Sequence, residues 1–155
     1  MTGACGTIGS ELVRQVLEES NASLCVGIDN NESELFTIDR KFAAEERGQF
    51  FVADVRDKEE LLRLSRGIDV FFHTAALKHV DLAERSPAGA VHTNVVGVQN
   101  LIAASVQNNV SRVVFTSSDK AVGPSSVMGA TKLIGERMIT EAGLAHKNSG
   151  PVFVS

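Results

Sequence analysis

Tyrosine and tryptophan are both absent from this chain, and proline occurs only three times in 155 residues. Without a tyrosine, no phenol is available to take up a proton, so acid–base chemistry must rest on other side chains. Cysteine is nearly as scarce. Cys5 lies in a glycine-rich loop and Cys25 in an apolar run, and the pair reads as reduced thiols rather than a disulfide. Basic charge is not in excess: the formal net charge is −4, which argues against a nucleic-acid or anionic-membrane surface. No apolar run approaches the roughly 18 residues of a membrane span, and no signal peptide precedes the first motif. A cytoplasmic protein is therefore expected, with no membrane contact through this segment. Internal repeats, low-complexity runs and interdomain linkers are missing too. What remains, 43% hydrophobic and 22% charged, is the composition of one domain with a real core.

The chemistry concentrates in Thr116–Lys132, T-S-S-D-K-A-V-G-P-S-S-V-M-G-A-T-K. Before it, Arg112-Val113-Val114-Phe115 is a short apolar run of the kind that forms a buried strand. After it, Leu133, Ile134, Arg137 and Met138 continue a helix. Two polar clusters thus fall at a strand exit and near a helix start, the edge at which open α/β sheets handle ligands. Ser117, Ser118, Asp119 and Lys120 bring hydroxyls, an acid and an amine together, and Thr131 and Lys132 lie on the following helical turn. The plainer alternative is a polar loop with a helix cap.

At the other end, Gly3, Gly6 and Gly9 lead into Ser10–Glu19, where Leu12, Val13, Val16 and Leu17 have helical spacing. A glycine turn opening a helix lets backbone N–H groups approach a pyrophosphate, and G-x-x-G-x-x-G is a relative of the dinucleotide fingerprint. Glycine triplets also make plain turns. A second feature narrows the choice: Leu24–Ile28 reads as a strand ending in Asp29, 20 residues beyond Gly9, where an acid meets ribose hydroxyls. Asp29 has no adjacent arginine, which favours NAD over NADP, because its carboxylate would repel a 2′-phosphate; Arg40, Lys41 and Arg56 are the cations that could offset it. The fingerprint should follow a strand, yet only Met1-Thr2 precede Gly3. The first, central strand is expected to be absent or reduced to a stub.

Asn30–Ser33 reads as a turn into a short helix through Leu35, Phe36 and Ile38, and Phe50–Ala53 as a strand. Asp54 either meets an adenine amine or satisfies turn amides, and Asp57 is expected to cap a helix carrying Leu61, Leu62 and Leu64. Val70–His73 is the next strand, with His73 read as a core histidine. Small residues at its exit, Ala75 and Ala76, would allow a flat ring near the backbone, and Lys78 and His79 in that loop would face a ligand. From Pro87 a long helix is predicted, with Val91, Val95, Val98, Leu101, Ile102 and Val106 on one stripe. Asn94 and Asn100 interrupt it, and Asn94 either bonds the neighbouring strand loop or is solvated. Pro151–Ser155 begins a last strand and stops. The alternation predicts an α/β fold, a Rossmann-like doubly wound parallel sheet with helices on both faces, within one dinucleotide-binding domain over residues 1–155. The chain reads as truncated at both ends.

T-G-A-C-G-T-I-G-S-E-L, D-V-R-D, A-A-L-K-H-V, T-N-V-V-G-V-Q-N, S-S-D-K-A-V and V-M-G-A-T-K come one after another across most of the chain. Together they resemble the extended short-chain dehydrogenase/reductase superfamily. More narrowly, A-A-L-K-H-V with S-S-D-K-A-V and M-G-A-T-K is similar to the polysaccharide-biosynthesis nucleotide-sugar 4,6-dehydratases that act on UDP-N-acetylglucosamine. The resemblance implies a lyase reaction through transient hydride transfer to bound NAD, giving a 4-keto-6-deoxy sugar. It implies that Ser118 positions the C4 oxygen, that Asp119 and Lys120 are the adjacent acid and base, and that Lys132 holds the nicotinamide ribose. Dinucleotide contacts are then expected from Gly3, Gly6, Thr7, Ile8, Gly9, Asp29, Asn30, Asp54, Val55, Ala75, Ala76, Lys78, Asn94 and Lys132. Lys78 and His79 are the expected substrate contacts, and no metal ligand is expected.

One position departs from the superfamily. Its Tyr-x-x-x-Lys pair becomes Met128-x-x-x-Lys132 here, and a thioether takes no proton. Larger membrane-anchored members of the resembling group also carry methionine there. Asp119, Lys120 or Lys132 through water are the remaining candidates for the C4 proton, with Met128 read as packing over the nicotinamide pocket. A nucleotide-sugar epimerase or reductase, which would want the tyrosine, and a non-catalytic NAD-binding module are the competing readings. By resemblance, about half of a full member lies outside this segment, including any anchor of the parent protein, and pairing of two copies through the long helices is possible in principle.

Overall fold

The computed structural model describes residues 1–147 and 150–155. It contains two compact units, residues 1–54 with 73–75, and residues 55–72 with 76–155.

In the first unit, helix α1 (Thr7–Glu19) is followed by strand β1 (Cys25–Asp29), helix α2 (Glu32–Lys41) and strand β2 (Gly48–Val52). The α1 stripe buries Gly9, Val13 and Leu17, and these apolar groups join Ala4, Cys25, Leu35, Ile38 and Phe42 in one core. β1 and β2 pair in parallel from Cys25↔Gly48 to Asp29↔Val52. Thr2 bridges both Ile28 and His73 in parallel fashion. The Ile28 N–H donates to Met1 O at 2.8 Å, the Ala4 N–H to Ile28 O at 3.1 Å and the Thr74 N–H to Thr2 O at 3.1 Å. The residues before the glycine turn are thus hydrogen-bonded both to β1 and to the exit of Val70–His73. Asn31 caps α2 by accepting from the Glu34 N–H at 3.2 Å. Arg47 ties down the end of α1 by donating to the carbonyls of Leu17, Ser20 and Ala22.

In the second unit, helix α3 (Lys58–Leu64) starts at Asp57, whose carboxylate accepts the Glu60 N–H at 3.0 Å as the sequence predicted. Strands β3 (Val70–His73), β4 (Arg112–Phe115) and β5 (Val152–Val154) come next in the order β3-β4-β5, with β4 and β5 parallel from Arg112↔Val152. The final residue of β3, His73, groups with the first unit. The helices are α4 (Val80–Arg85), α5 (Pro87–Val91), α6 (Gly97–Gln107) and α7 (Val127–Ala145). The alternation of helices and parallel strands is Rossmann-like, as expected.

The long helix predicted from Pro87 differs in two ways. A π-helical turn, His92–Val96, separates α5 from α6, and the separate short helix α4 has no counterpart in the apolar periodicity. The predicted stripe is buried at Val98 and Leu101, half-buried at Val95, Ile102 and Val106, and exposed at Val91. Small and polar residues that the stripe did not include, Ala90, Asn94, Gly97, Ala104 and Ser105, are buried beside it. A Cβ on Gly97 would sit 2.8 Å from the Val55 side chain.

Candidate functional site

The glycine loop is built around two close approaches. Gly3 has a φ of +69°, and a Cβ there would lie 2.6 Å from the Ala75 nitrogen. A Cβ on Gly9 would lie 2.0 Å from the Gly3 carbonyl oxygen. Both positions exclude any side chain. The loop closes with the Gly6 N–H on Gly3 O at 3.0 Å, and the Thr74 hydroxyl donates to Thr2 O at 2.8 Å. No side chain caps α1, and Gly6, Thr7 and Ile8 are exposed. Uncapped amides at the positive end of a helix suit a pyrophosphate.

Asp29, at the end of β1, is half-buried. Its Oδ2 accepts the Cys5 N–H at 2.9 Å and its Oδ1 accepts the Asn31 N–H at 3.0 Å. Each oxygen keeps a second lone pair, the acceptor pair that ribose hydroxyls require. Burial first, and the Asp29 carboxylate second, push the Cys5 thiol up to about 12. Cys5 and Cys25 are both free, in line with the reduced-thiol reading. Asn30 is exposed, and Asp54 is half-buried just past β2. This donor and acceptor set fits a nicotinamide dinucleotide.

The second unit carries the polar clusters. Beyond β4, the Ser118 hydroxyl accepts the Lys120 N–H at 3.2 Å and donates to Asp119 Oδ1 at 3.0 Å. Lys120 Nζ lies 3.6 Å from the same oxygen. The Ser118 hydroxyl first, then the Lys120 ammonium, hold the Asp119 carboxyl below its usual range. Ser117 Oγ is buried with no partner among the described residues. One turn into α7, Lys132 is 5% exposed. Its amine donates to Thr116 O at 2.8 Å and stands 4.7 Å from the centroid of the Phe115 ring. Burial lowers its pKa to about 8, so the amine titrates far closer to neutrality than an exposed lysine does. The first turn of α7 abuts the S-D-K loop, since a Cβ on Gly129 would come within 2.3 Å of the Lys120 carbonyl oxygen.

Met128 is 2% exposed and packs with Ala83 and Ala90. It packs from α7 against the helices α4 and α5. Asn94, in the π turn, bonds the strand loop rather than solvent. Its Oδ1 accepts the Leu77 N–H at 2.9 Å, and its Nδ2 donates to Leu77 O and Thr131 Oγ1, both at 3.0 Å. Both donors are therefore spent inside the protein, and Asn94 fixes the loop that presents the exposed Lys78 and His79. Asn100 plays the same part for the segment ahead of α3, donating to Val55 O at 3.1 Å and Arg56 O at 3.0 Å. Ala76 is half-buried, and Val55 lies buried beneath Gly97.

The sequence singles out Asn100 and Thr131 but not their partners, and leaves Thr74 and Glu84 unmarked. Thr74, Asn100, Thr131 and Glu84 act through partners far along the chain, and only a buried polar residue on an apolar stripe hints at them. Among the described residues, no group of His, Cys, Asp or Glu could hold a metal, and no helix is long and apolar enough to cross a membrane.

Known proteins are similar to this chain in sequence and fold. The UDP-N-acetylglucosamine 4,6-dehydratase (inverting) of Campylobacter jejuni is 34% identical over 142 residues, 92% of this chain and 42% of that protein. The X-ray structure of Pen from Bacillus thuringiensis superposes with a TM-score of 0.94 at 36% identity, covering 98% of this chain and 47% of Pen. A double mutant of DesIV, the dTDP-glucose 4,6-dehydratase of Streptomyces venezuelae with NAD and DAU bound, gives 0.82 at 28%, covering 97% and 52%. The chain therefore spans about half the length of each of these three proteins. Its full extent, residues 1–155, matches the family described as polysaccharide biosynthesis protein, and the chain belongs to that family.

Proposed function

We propose that residues 1–155 act as the dinucleotide-binding domain of a nucleotide-sugar 4,6-dehydratase that uses NAD and takes UDP-N-acetylglucosamine. The observation that carries the reading is the buried Lys132 amine, held on the Thr116 carbonyl one turn from the S-D-K cluster. An amine with a pKa of about 8 exchanges its proton at physiological pH. A pure binding module has no use for such a group beside an acid and a second amine. Met128 speaks against an epimerase built on a tyrosine base.

In this reading the α1 amides hold the pyrophosphate, the Asp29 carboxylate takes the ribose hydroxyls, and its charge disfavours a 2′-phosphate. NAD, when bound, supplies a hydride acceptor that is returned to its starting state. The chain's own residues move protons. Ser118 orients the C4 oxygen of the sugar. Lys132, directly or through water, accepts the C4 proton in place of the missing phenol. Lys120 serves as base at C5. Asp119, exposed and held below the usual carboxyl range, takes its proton from the neighbouring Lys120 ammonium once substrate covers the pair and raises the carboxyl pKa. This leaves Lys120 neutral to take the C5 proton and Asp119 protonated to donate at the C6 hydroxyl.

Calorimetric titration of this chain with NAD⁺, NADP⁺ and UDP-N-acetylglucosamine tests the reading, with Asp29→Asn as the comparison. NAD⁺ should bind at least about tenfold more tightly than NADP⁺, a difference of about 1.4 kcal/mol, and Asp29→Asn should narrow the gap. A folded chain that binds neither dinucleotide, or both equally, removes the basis for the proposal.

A further inference from the structure

Glu84 lies on α4, exposed and outside both the glycine loop and the S-D-K cluster. Its Oε1 accepts the Val127 N–H, the first amide of α7, at 2.7 Å. Ser126 separately accepts the Gly129 N–H at 3.1 Å, and the Ala130 N–H closes the first helical bond on Ser126 O at 2.9 Å. Of the amides that a helix start leaves without partners, Glu84 takes the first and Ser126 the third. A carboxylate at this end also complements the helix dipole.

The turn so capped leads into the one that carries Lys132 and packs against the S-D-K loop. Met128 packs between Ala83 and Ala90, on either side of Glu84 in the chain. Gly129 seats against the Lys120 carbonyl, and Lys132 reaches back to Thr116 O. α4 itself begins one residue after His79, in the loop that presents Lys78. We infer that Glu84 is a positioning residue, clamping the first turn of α7 so that Lys132 stays on the Thr116 carbonyl and Gly129 on the S-D-K loop. Its bearing on catalysis rests on the dehydratase reading; its hold on Lys132 does not.

The prediction has a sign that separates positioning from charge. Among the described residues, the charged group that acts on the Lys132 amine is Glu136, one turn further along α7, and it raises the lysine's pKa against the lowering effect of burial. If Glu84 acted only as a distant negative charge, removing it would lower the Lys132 pKa. If it acts as a clamp, removing it loosens the turn, readmits water to the amine and raises that pKa.

The experiment is NMR titration of the intact chain carrying lysine labelled at Cε, with the Lys132 signal assigned by its loss in Lys132→Arg. Glu84→Ala should move the Lys132 midpoint upward by about one pH unit. Glu84→Gln keeps a neutral acceptor for the Val127 N–H and should return the midpoint to within a few tenths of the unaltered chain. Glu84→Asp, one methylene short, gives the same upward shift and stands in if Glu84→Ala does not fold. A midpoint unchanged or lowered in both shortened variants overturns the inference. Because no dinucleotide or sugar is present, the result is independent of whether the dehydratase reading holds.

Discussion

At the scale of single residues, Lys132 illustrates how a reactive group costs stability. Burial lowers its pKa to about 8 in the folded chain, whereas a free lysine side chain titrates near ~10.4. Between those values the unfolded chain binds more protons than the folded one, so the lysine's contribution to stability rises with pH through that window. Below about 8 the full penalty applies, roughly 3 kcal/mol from the size of the shift. Lys132→Met keeps the apolar stem and removes the titration. Urea midpoints of both chains at pH 7 and pH 10 should show the unaltered protein gaining about 2–3 kcal/mol on the variant across that interval. A constant gap would mean the amine is not depressed. The presence of Lys132 and of the Ser118-Asp119-Lys120 cluster is legible in the sequence, because neighbours within a turn or a tight loop are bound to be close in space. The depression itself is not, since it depends on Phe115 and Thr116 covering the amine from a different element. Glu84 is illegible for the same reason, its partner being 43 residues away.

At the scale of elements, the run α5, π turn and α6 does what a regular helix would not. The π turn inserts one extra residue and so rotates α6 by about 100°, a step of the 3.6-residue repeat. In the resulting register Asn94 reaches the β3 exit loop at Leu77 and Asn100 reaches the backbone of Val55 and Arg56. Apolar periodicity located the helix and much of its buried face, Val98 and Leu101 included. It gave no sign of the small residues buried beside them, Ala90, Gly97 and Ala104, of which Gly97 seats against the Val55 side chain. The cap at Asp57 was legible because its acceptor lies within its own first turn. Asn94→Ala removes both contacts to the Leu77 backbone and the bond to Thr131 inside a buried region. Leaving those groups unpaired should cost about 2–4 kcal/mol in urea denaturation. Hydrogen exchange at the Leu77 amide should quicken in step. An unchanged Leu77 amide would show that the Asn94 bridge does not hold the loop.

At the scale of the whole molecule, the order of strands and helices comes from alternation, and the Rossmann-like fold was readable from it. The division into two compact units was not, because it depends on which distant segments touch. Residues 73–75 belong with the first unit through Thr2, whose backbone and hydroxyl serve His73, Thr74 and Ala75. The first unit also contains a built-in reporter. Cys25 is 5% exposed within its core, and burial raises the thiol further, so a thiol reagent reaches it only when that unit opens. If the glycine loop and Asp29 hold NAD, the dinucleotide binds the closed form alone and suppresses opening by mass action. At a concentration about a hundredfold above Kd, the stabilisation is about 2.7 kcal/mol, equivalent to a roughly hundredfold slower labelling of Cys25. Peptide mass spectrometry distinguishes Cys25 from the half-buried Cys5, whose thiol is pushed up to about 12. Asp29→Asn should lose most of the protection, and NADP⁺ should give less of it than NAD⁺ at equal concentration. Unaltered Cys25 labelling at saturating NAD⁺ would mean that the first unit is not where the dinucleotide engages, whatever the calorimeter records for the chain.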